Sequence, residues 1–267
     1  MKKSLKIALA ALLASTGLAS ADTLEKIAGA GKIVVGVKND YRPWGYLDAS
    51  GKIVGLEIDL AQDIATRLGV DLELVPVVAS NRMEFLQQGR IDLIIATLGD
   101  NPQRREVVGM IEPNYYAGGA NILAPKANGL KEWTDLEGKD VCGIQGSYYL
   151  REITQKYKAN IVAFAGVPEA SAALTNGSCV GLAYDNTWIE SQLASEAVWA
   201  DYEMPFVTEQ MQPWAIAVPL EELSGPYGQK ISEIVTDWHK TRFLIEGNER
   251  YGIAPAPFFE EQYEKFK

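Results

Sequence analysis

Ala96-Thr97-Leu98-Gly99-Asp100-Asn101-Pro102-Gln103-Arg104-Arg105 follows directly on Ile91-Asp92-Leu93-Ile94-Ile95. The branched apolar run reads as a buried parallel strand. It runs out into Thr97, Gly99, Asp100 and Asn101, and Pro102 then opens a short helical turn that carries Arg104 and Arg105. Asn before Pro is a helix start, because Pro at the first helical position gives up an amide that would be unpaired anyway. Backbone amides near a glycine, a hydroxyl and a guanidinium thus converge outside the carboxyl end of a strand. Open α/β sheets bind ligands there, and arginine grips a carboxylate with two parallel hydrogen bonds. An ordinary strand, loop and helix with surface arginines fits the same residues, so the rest of the chain has to decide.

The first residues stand apart. Lys2, Lys3 and Lys6 flank the start of an apolar run, 5–18, that ends in Ala19-Ser20-Ala21. A basic start, a short apolar core and an Ala-x-Ala site make a secretory signal peptide over 1–21, cleaved before Asp22. The run is too short to span a bilayer, and no cysteine near the site could take a lipid. The mature chain is therefore expected to be soluble and exported. The formal charge of −10 becomes −13 once the three leader lysines are removed. That balance argues against nucleic acid and against anionic lipid, yet a small positive cleft can sit in an acidic protein. The length permits one large domain or two modest ones. Cys142 and Cys179 form an even pair, expected to be bridged in an exported chain. With one histidine, His239, they make a structural zinc site improbable. His239 is expected on a C-terminal helix without a chemical role.

Along the chain, strand 33–37 delivers Lys38-Asn39-Asp40-Tyr41-Arg42-Pro43-Trp44. Tyr41 and Trp44, in a loop at a strand end, could pack on a ligand or simply roof the core. Residues 46–54 read as a hairpin. Leu60, Ile64 and Leu68 recur at helical spacing, with Asp59 as the expected cap and Gly69 as the stop. Strand 72–77 follows, then Asn81-Arg82 and a short helix ending at Gly89. Gly118-Gly119 before a new apolar run marks a crossover between domains, and 130–138 reads as a helical connector. A second α/β set follows, with strands 141–145, 161–165 and 180–184 and helices 148–157 and 168–176. Gly146-Ser147 and Asp185 stand at strand mouths, an anion cradle and an isolated carboxylate unless they merely cap helices. A strand at 213–218 returns the chain, and a helix over 226–245 closes it. No phosphate loop, metalloprotease pair or nucleophile elbow is present, and neither cofactor nor metal is implied.

Several motifs resemble one family: Tyr41-x-Pro43-Trp44, Gly55-Leu56-Glu57-Ile58-Asp59-Leu60-Ala61, Asn81-Arg82, Gly89-Arg90-Ile91-Asp92-Leu93, Pro102-Gln103-Arg104, Pro113-x-Tyr115, Gln145-Gly146-Ser147 and Tyr184-Asp185. The chain is similar over essentially its whole mature length to the periplasmic solute-binding proteins, family 3, which serve ABC importers of polar amino acids. The resemblance implies an α/β, two-lobe, type II periplasmic-binding-protein fold with two crossover strands and hinge closure. Lobe 1 is then 22–117 with 214–267, and lobe 2 is 118–213. It implies that Arg104, helped by Ser147, holds a ligand α-carboxylate, that Thr97, Gly99 and Gly146 line the same end, and that Asp185 takes the α-ammonium. Tyr41 and Trp44 fall where members pack aromatics on the ligand. Lys38 and Arg82 fall where members selective for acidic ligands carry cations. Members usually have Thr-Pro-Glu-Arg where this chain has Asn101-Pro102-Gln103-Arg104, so the hydroxyl at 101 is missing. The two cysteines resemble a subgroup with a pair on neighbouring second-lobe strands.

The implied partners are a polar amino acid, possibly acidic by Lys38 and Arg82, and the membrane permease of an ABC importer, with a periplasmic monomer as the working form. An enzyme is the rival, because periplasmic cyclohexadienyl dehydratases share the fold and fold alone does not settle function. Such an enzyme needs a placed general acid, and Asp185 is already assigned. A detached sensor domain is a third reading, but the chain ends at Lys267 without an effector.

Overall fold

The computed structural model describes residues 23–195, 197–253 and 257–267, so the expected leader lies outside the described residues. The first of two large sheets has five strands, in the order Asp71–Pro76, Lys32–Val37, Leu93–Ile95, Ala217–Val218, Gly109–Met110. Lys32–Val37 runs parallel to both its neighbours, and Ala217–Val218 antiparallel to both of its own. The apolar run 91–95 is buried on both faces. Leu93 and Ile95 join one core cluster, while Ile94 and Ala96 join the other. That alternation is the period of two that a strand imposes.

The second sheet is ordered Asn160–Phe164, Asp140–Ile144, Gly181–Asp185, Tyr116–Pro125, Tyr202–Glu203, with Glu209–Trp214 also pairing to Tyr116–Pro125. Asp140–Ile144 is parallel to both flanking strands, and Gly181–Asp185 runs antiparallel to Tyr116–Pro125. Each sheet with its helices makes an α/β lobe. The chain passes between them along Tyr116–Pro125 and Glu209–Trp214, where Tyr116 pairs with Trp214 and Ala117 with Pro213. The rings of Tyr116 and Trp214 stack at 4.8 Å, and Phe259, from a terminal helix Pro257–Phe266, packs on Tyr116 at 5.0 Å.

Four local expectations are corrected. The helix expected to start behind Asp59 spans Leu56–Leu68, so Asp59 lies in its first turn and caps nothing. Gly55 turns the chain at φ +135, where a Cβ would meet the Trp44 carbonyl oxygen at 2.3 Å. The amides of Leu56 and Glu57 then donate to the carbonyls of Pro43 and Trp44, so the start is satisfied without a side chain. The single strand at 213–218 is two, Glu209–Trp214 and Ala217–Val218, because the segment leaves one sheet and joins the other. The helix at 226–245 is also divided, into Pro226–Lys240 and Phe243–Arg250, by Arg242 at φ +61. The connector at 130–138 reduces to one short 3₁₀ turn, Trp133–Leu136.

His239 is buried on the helix Pro226–Lys240, with Nε2 2.8 Å from the Asn114 carbonyl and its ring stacked on Phe266. Cys142 and Cys179 are bridged. Cys142 sits within Asp140–Ile144 and pairs with Leu182 of the neighbouring strand, close behind Cys179. The bridge closes a separation of 37 residues inside one lobe. Replacing both cysteines by alanine is expected to lower the unfolding free energy by about 2–4 kcal/mol in denaturant melts while leaving ligand affinity unchanged. Two titratable thiols in protein isolated from an oxidising compartment would contradict the bridge.

Candidate binding site

The stretch 96–105 turns at the carboxyl end of the central strand of the first sheet. Thr97 adopts a left-handed φ of +48, uncommon for a β-branched residue, and its amide donates to Glu57 Oε1 at 2.7 Å. Gly99 bridges to Trp214, and the Asp100 amide donates to the Pro213 carbonyl at 2.8 Å. Asn101 caps the short helix Pro102–Arg105 through Oδ1, which accepts from the Arg104 amide at 3.0 Å. Asparagine thus supplies the cap that the family's threonine would. The two arginines part company here. Arg105 lies outside, gripped by both oxygens of Asp100 and by Glu112. Arg104 turns inward and is 7% exposed.

Arg104 Nη1 donates to the Gly99 carbonyl at 2.8 Å, and Nη2 to the Gly146 carbonyl of the other lobe at 3.0 Å. Gly146 has φ +86, and a Cβ there would meet the backbone of Ala79 at 2.6 Å. A glycine is required where the two lobes' backbones meet. Around this contact Lys38, Ala79, Arg82, Thr97 and Arg104 of the first lobe face Ser147, Tyr148, Tyr149, Tyr184 and Asp185 of the second. They enclose a chamber of about 20 Å³, space for a water molecule but not for an amino acid. Admitting a ligand of that size requires the lobes to part.

Of the residues expected at the site, Lys38, Arg82, Thr97, Arg104, Ser147 and Asp185 line this chamber. Gly99 and Gly146 take part through the carbonyls that hold Arg104. Tyr41 stands behind the wall, with its hydroxyl donating to Asp185 Oδ2 at 2.9 Å and touching Thr187 Oγ1 at 3.0 Å. Trp44 is not among the lining residues. Its ring packs edge-on against Tyr41, Tyr116 and Trp214, so it roofs the crossover. Both readings of the aromatic pair had been open, and packing decides for the roof at Trp44.

The charges are held at a cost. Burial lowers the Arg104 pKa to about 9, with Arg82 adding repulsion. Burial also lowers Arg82, whose Nη1 donates to the Ala96 carbonyl and whose Nε has no partner. Lys38 is 1% exposed. Its Nζ lies 2.8 Å from Asp40 Oδ1 but makes no aligned hydrogen bond. Asp185 is raised by burial, against the opposing pull of the Tyr41 hydroxyl and of Arg82. Three cations and one carboxylate therefore line a space with little water to solvate them.

The sequence matches the bacterial extracellular solute-binding proteins, family 3, over residues 33–240. The chain belongs to that family. It is 32% identical to the ABC transporter glutamine-binding protein GlnH of Bacillus subtilis (strain 168), across 74% of this chain and 73% of that protein. It is 26% identical to the glutamate/aspartate import solute-binding protein of Escherichia coli (strain K12), across 70% and 68%. Its backbone follows a mutant of the arginine-binding protein ArgBP of T. maritima with a TM-score of 0.79 at 25% identity, covering 85% of this chain and 98% of that one. The two lobes are therefore those of the type II periplasmic-binding-protein fold, in a family of amino-acid ABC transporter proteins. No helix among the described residues is long and apolar enough to cross a membrane.

Sequence reasoning passed over Tyr148, Tyr149 and Tyr184 as lining residues, although Tyr148 and Tyr149 directly follow the Gly146-Ser147 turn. It also passed over Glu57. That carboxylate is fully buried, accepts from the Thr97 amide and the Tyr115 hydroxyl, and leaves Oε2 unpaired. Burial raises its pKa from 4.5 to about 7, despite those bonds and the nearby Arg82 and Lys38. Between these values the folded protein holds a proton that the unfolded chain has released, so stability falls as pH rises from about 4.5 to about 7. Wild-type stability minus that of Glu57→Gln is expected to drop across this window by up to about 1.4 kcal/mol per pH unit. Denaturant melts at a series of pH values measure it. A pH-independent difference would contradict the assignment.

Proposed function

We propose that the protein captures an acidic amino acid in the periplasm and delivers it to the membrane permease of an ABC importer, without chemistry of its own. Arg104, with Ser147, takes the α-carboxylate, Asp185 takes the α-ammonium, and Lys38 and Arg82 receive the distal carboxylate. The observation that carries the choice of ligand is the Lys38 ammonium. It is buried at the chamber wall, 2.8 Å from Asp40 Oδ1 but without an aligned hydrogen bond, so its remaining N–H donors call for an acceptor that a ligand can bring. The unspent Nε of Arg82 points the same way.

The lobes divide, in this reading, at 117/118 and 213/214, and they close about the paired segments Tyr116–Pro125 and Glu209–Trp214. The Ala-x-Ala leader supports export, and the protein acts as a monomer. Transport also suits the chemistry better than dehydration does. A dehydratase would need a further acid on the ligand, whereas Asp185 is the one carboxylate lining the chamber among the described residues and Glu57 is engaged by the Thr97 backbone.

Calorimetry with a panel of the common amino acids tests the reading, with glutamate or aspartate expected to bind most tightly. Arginine or lysine outranking glutamate and glutamine would overturn the acidic assignment. Removing one partner of a desolvated charge pair costs about 3–5 kcal/mol, so Arg104→Ala and Asp185→Ala are each expected to weaken binding at least about a hundredfold. Wild-type affinity in either variant would remove that residue from the site.

A further inference from the structure

Asp40 lies in the first lobe, on the short strand Asp40–Tyr41, and its side chain is nearly buried at 12% exposure. One oxygen, Oδ1, faces the Lys38 ammonium at 2.8 Å. The other, Oδ2, crosses the cleft and accepts from the Val167 amide of the second lobe at 3.2 Å. Val167 is the first residue of the helix Val167–Thr175. The start of this helix lacks a cap of its own. Its N-cap is Gly166, which has no side chain to offer, and the next helical residue, Pro168, has no amide. Gly166 also leaves room for the visitor, since a Cβ there would come within 3.3 Å of Asp40 Oδ2. A carboxylate at this place meets both a free amide and the positive end of the helix dipole.

We propose that Asp40 is a positioning residue for ligand retention: it caps the second-lobe helix Val167–Thr175 across the cleft when the lobes are closed, while holding Lys38 at the chamber wall. The cap exists only when the lobes meet. Parting them leaves the Val167 amide and the Asp40 carboxylate to water, so the bond adds to the closed state alone. It therefore acts on release of the ligand and not on its entry. This rests on the two-lobe capture reading above but on no particular amino acid.

Stopped-flow binding and release with the amino acid that ranks first in the panel tests the proposal. Asp40→Ala is expected to release ligand on the order of five- to tenfold faster, the usual effect of losing a helix cap, with the association rate within about twofold of wild type. Asp40→Asn keeps an acceptor of the same shape, which caps as well as aspartate does, and should release at close to the wild-type rate. Val167→Pro removes the same bond from the other lobe, at a helix position that tolerates proline, and leaves Asp40 beside Lys38. It should reproduce the faster release even where loss of Asp40 disturbs folding. A distance between labels on the two lobes gives a reading that needs no ligand. The closed fraction should fall in Asp40→Ala and Val167→Pro and be kept in Asp40→Asn. An arginine or lysine ranking first in the panel would sink the acidic assignment and leave these ratios to be read with that ligand. Unchanged release and an unchanged closed fraction in Val167→Pro, or Asp40→Asn behaving like Asp40→Ala, would overturn the cap.

Discussion

Arg104 carries a guanidinium into a chamber where, among the described residues, no carboxylate makes an ion pair with it. Two backbone carbonyls, one from each lobe, take two of its donors. An arginine stays charged in proteins, and a buried charge without a counterion costs several kcal/mol. Much of the surrounding structure serves to keep that charge in place. The strand Leu93–Ile95 is packed on both faces, Asn101 caps the turn that aims the side chain, and Asp100 occupies Arg105 so that one guanidinium enters the chamber and the other stays outside. In the proposed function, a ligand carboxylate would relieve the cost that folding alone leaves outstanding.

The second requirement is that two lobes come close enough to exclude water. Gly146 sits against the backbone of Ala79 at the chamber, and a side chain there would hold the lobes apart. The Tyr41 hydroxyl reaching Asp185 and the Tyr148 hydroxyl reaching the Gln210 carbonyl add polar contacts around it. The crossover strands are braced by the aromatic cluster of Tyr41, Trp44, Tyr116 and Trp214, in which Tyr116 stacks on Trp214 and the other pairs meet edge to face. Charges at the chamber and aromatics at the crossovers thus divide the labour. On the proposed reading the first set faces the ligand, and the second packs between the two crossover strands.

Local pattern revealed what local pattern controls. Continuous branched runs marked the sheet strands, and polar residues at strand ends marked Arg104, Ser147, Thr97 and Asp185, which line one chamber. Errors arose where distant residues set the outcome. Asp59 looked like a cap because the carbonyls of Pro43 and Trp44, which satisfy that helix start, are invisible until the chain folds back. The return segment looked like one strand because nothing in 213–218 says that Trp214 and Ala217 pair in different sheets. For Trp44 the sequence left ligand platform and core roof equally open, because a ring in a loop carries no sign of which side it will face. Glu57 was hidden inside an amphipathic helix, where a carboxylate next to Leu56 and Ile58 reads as an exposed turn residue. Its burial depends on the Thr97 amide 40 positions away.

In the proposed function, Arg104 and Asp185 hold the two ends of an α-amino acid while Lys38 and Arg82 hold a distal acid. A crystal structure of the protein with glutamate tests it most directly. The α-carboxylate is expected on Arg104 and Ser147, the ammonium on Asp185, and the side-chain carboxylate within hydrogen-bond distance of Lys38 Nζ or Arg82. Glutamate bound with its ammonium away from Asp185, or with its side chain turned from both cations, would contradict it.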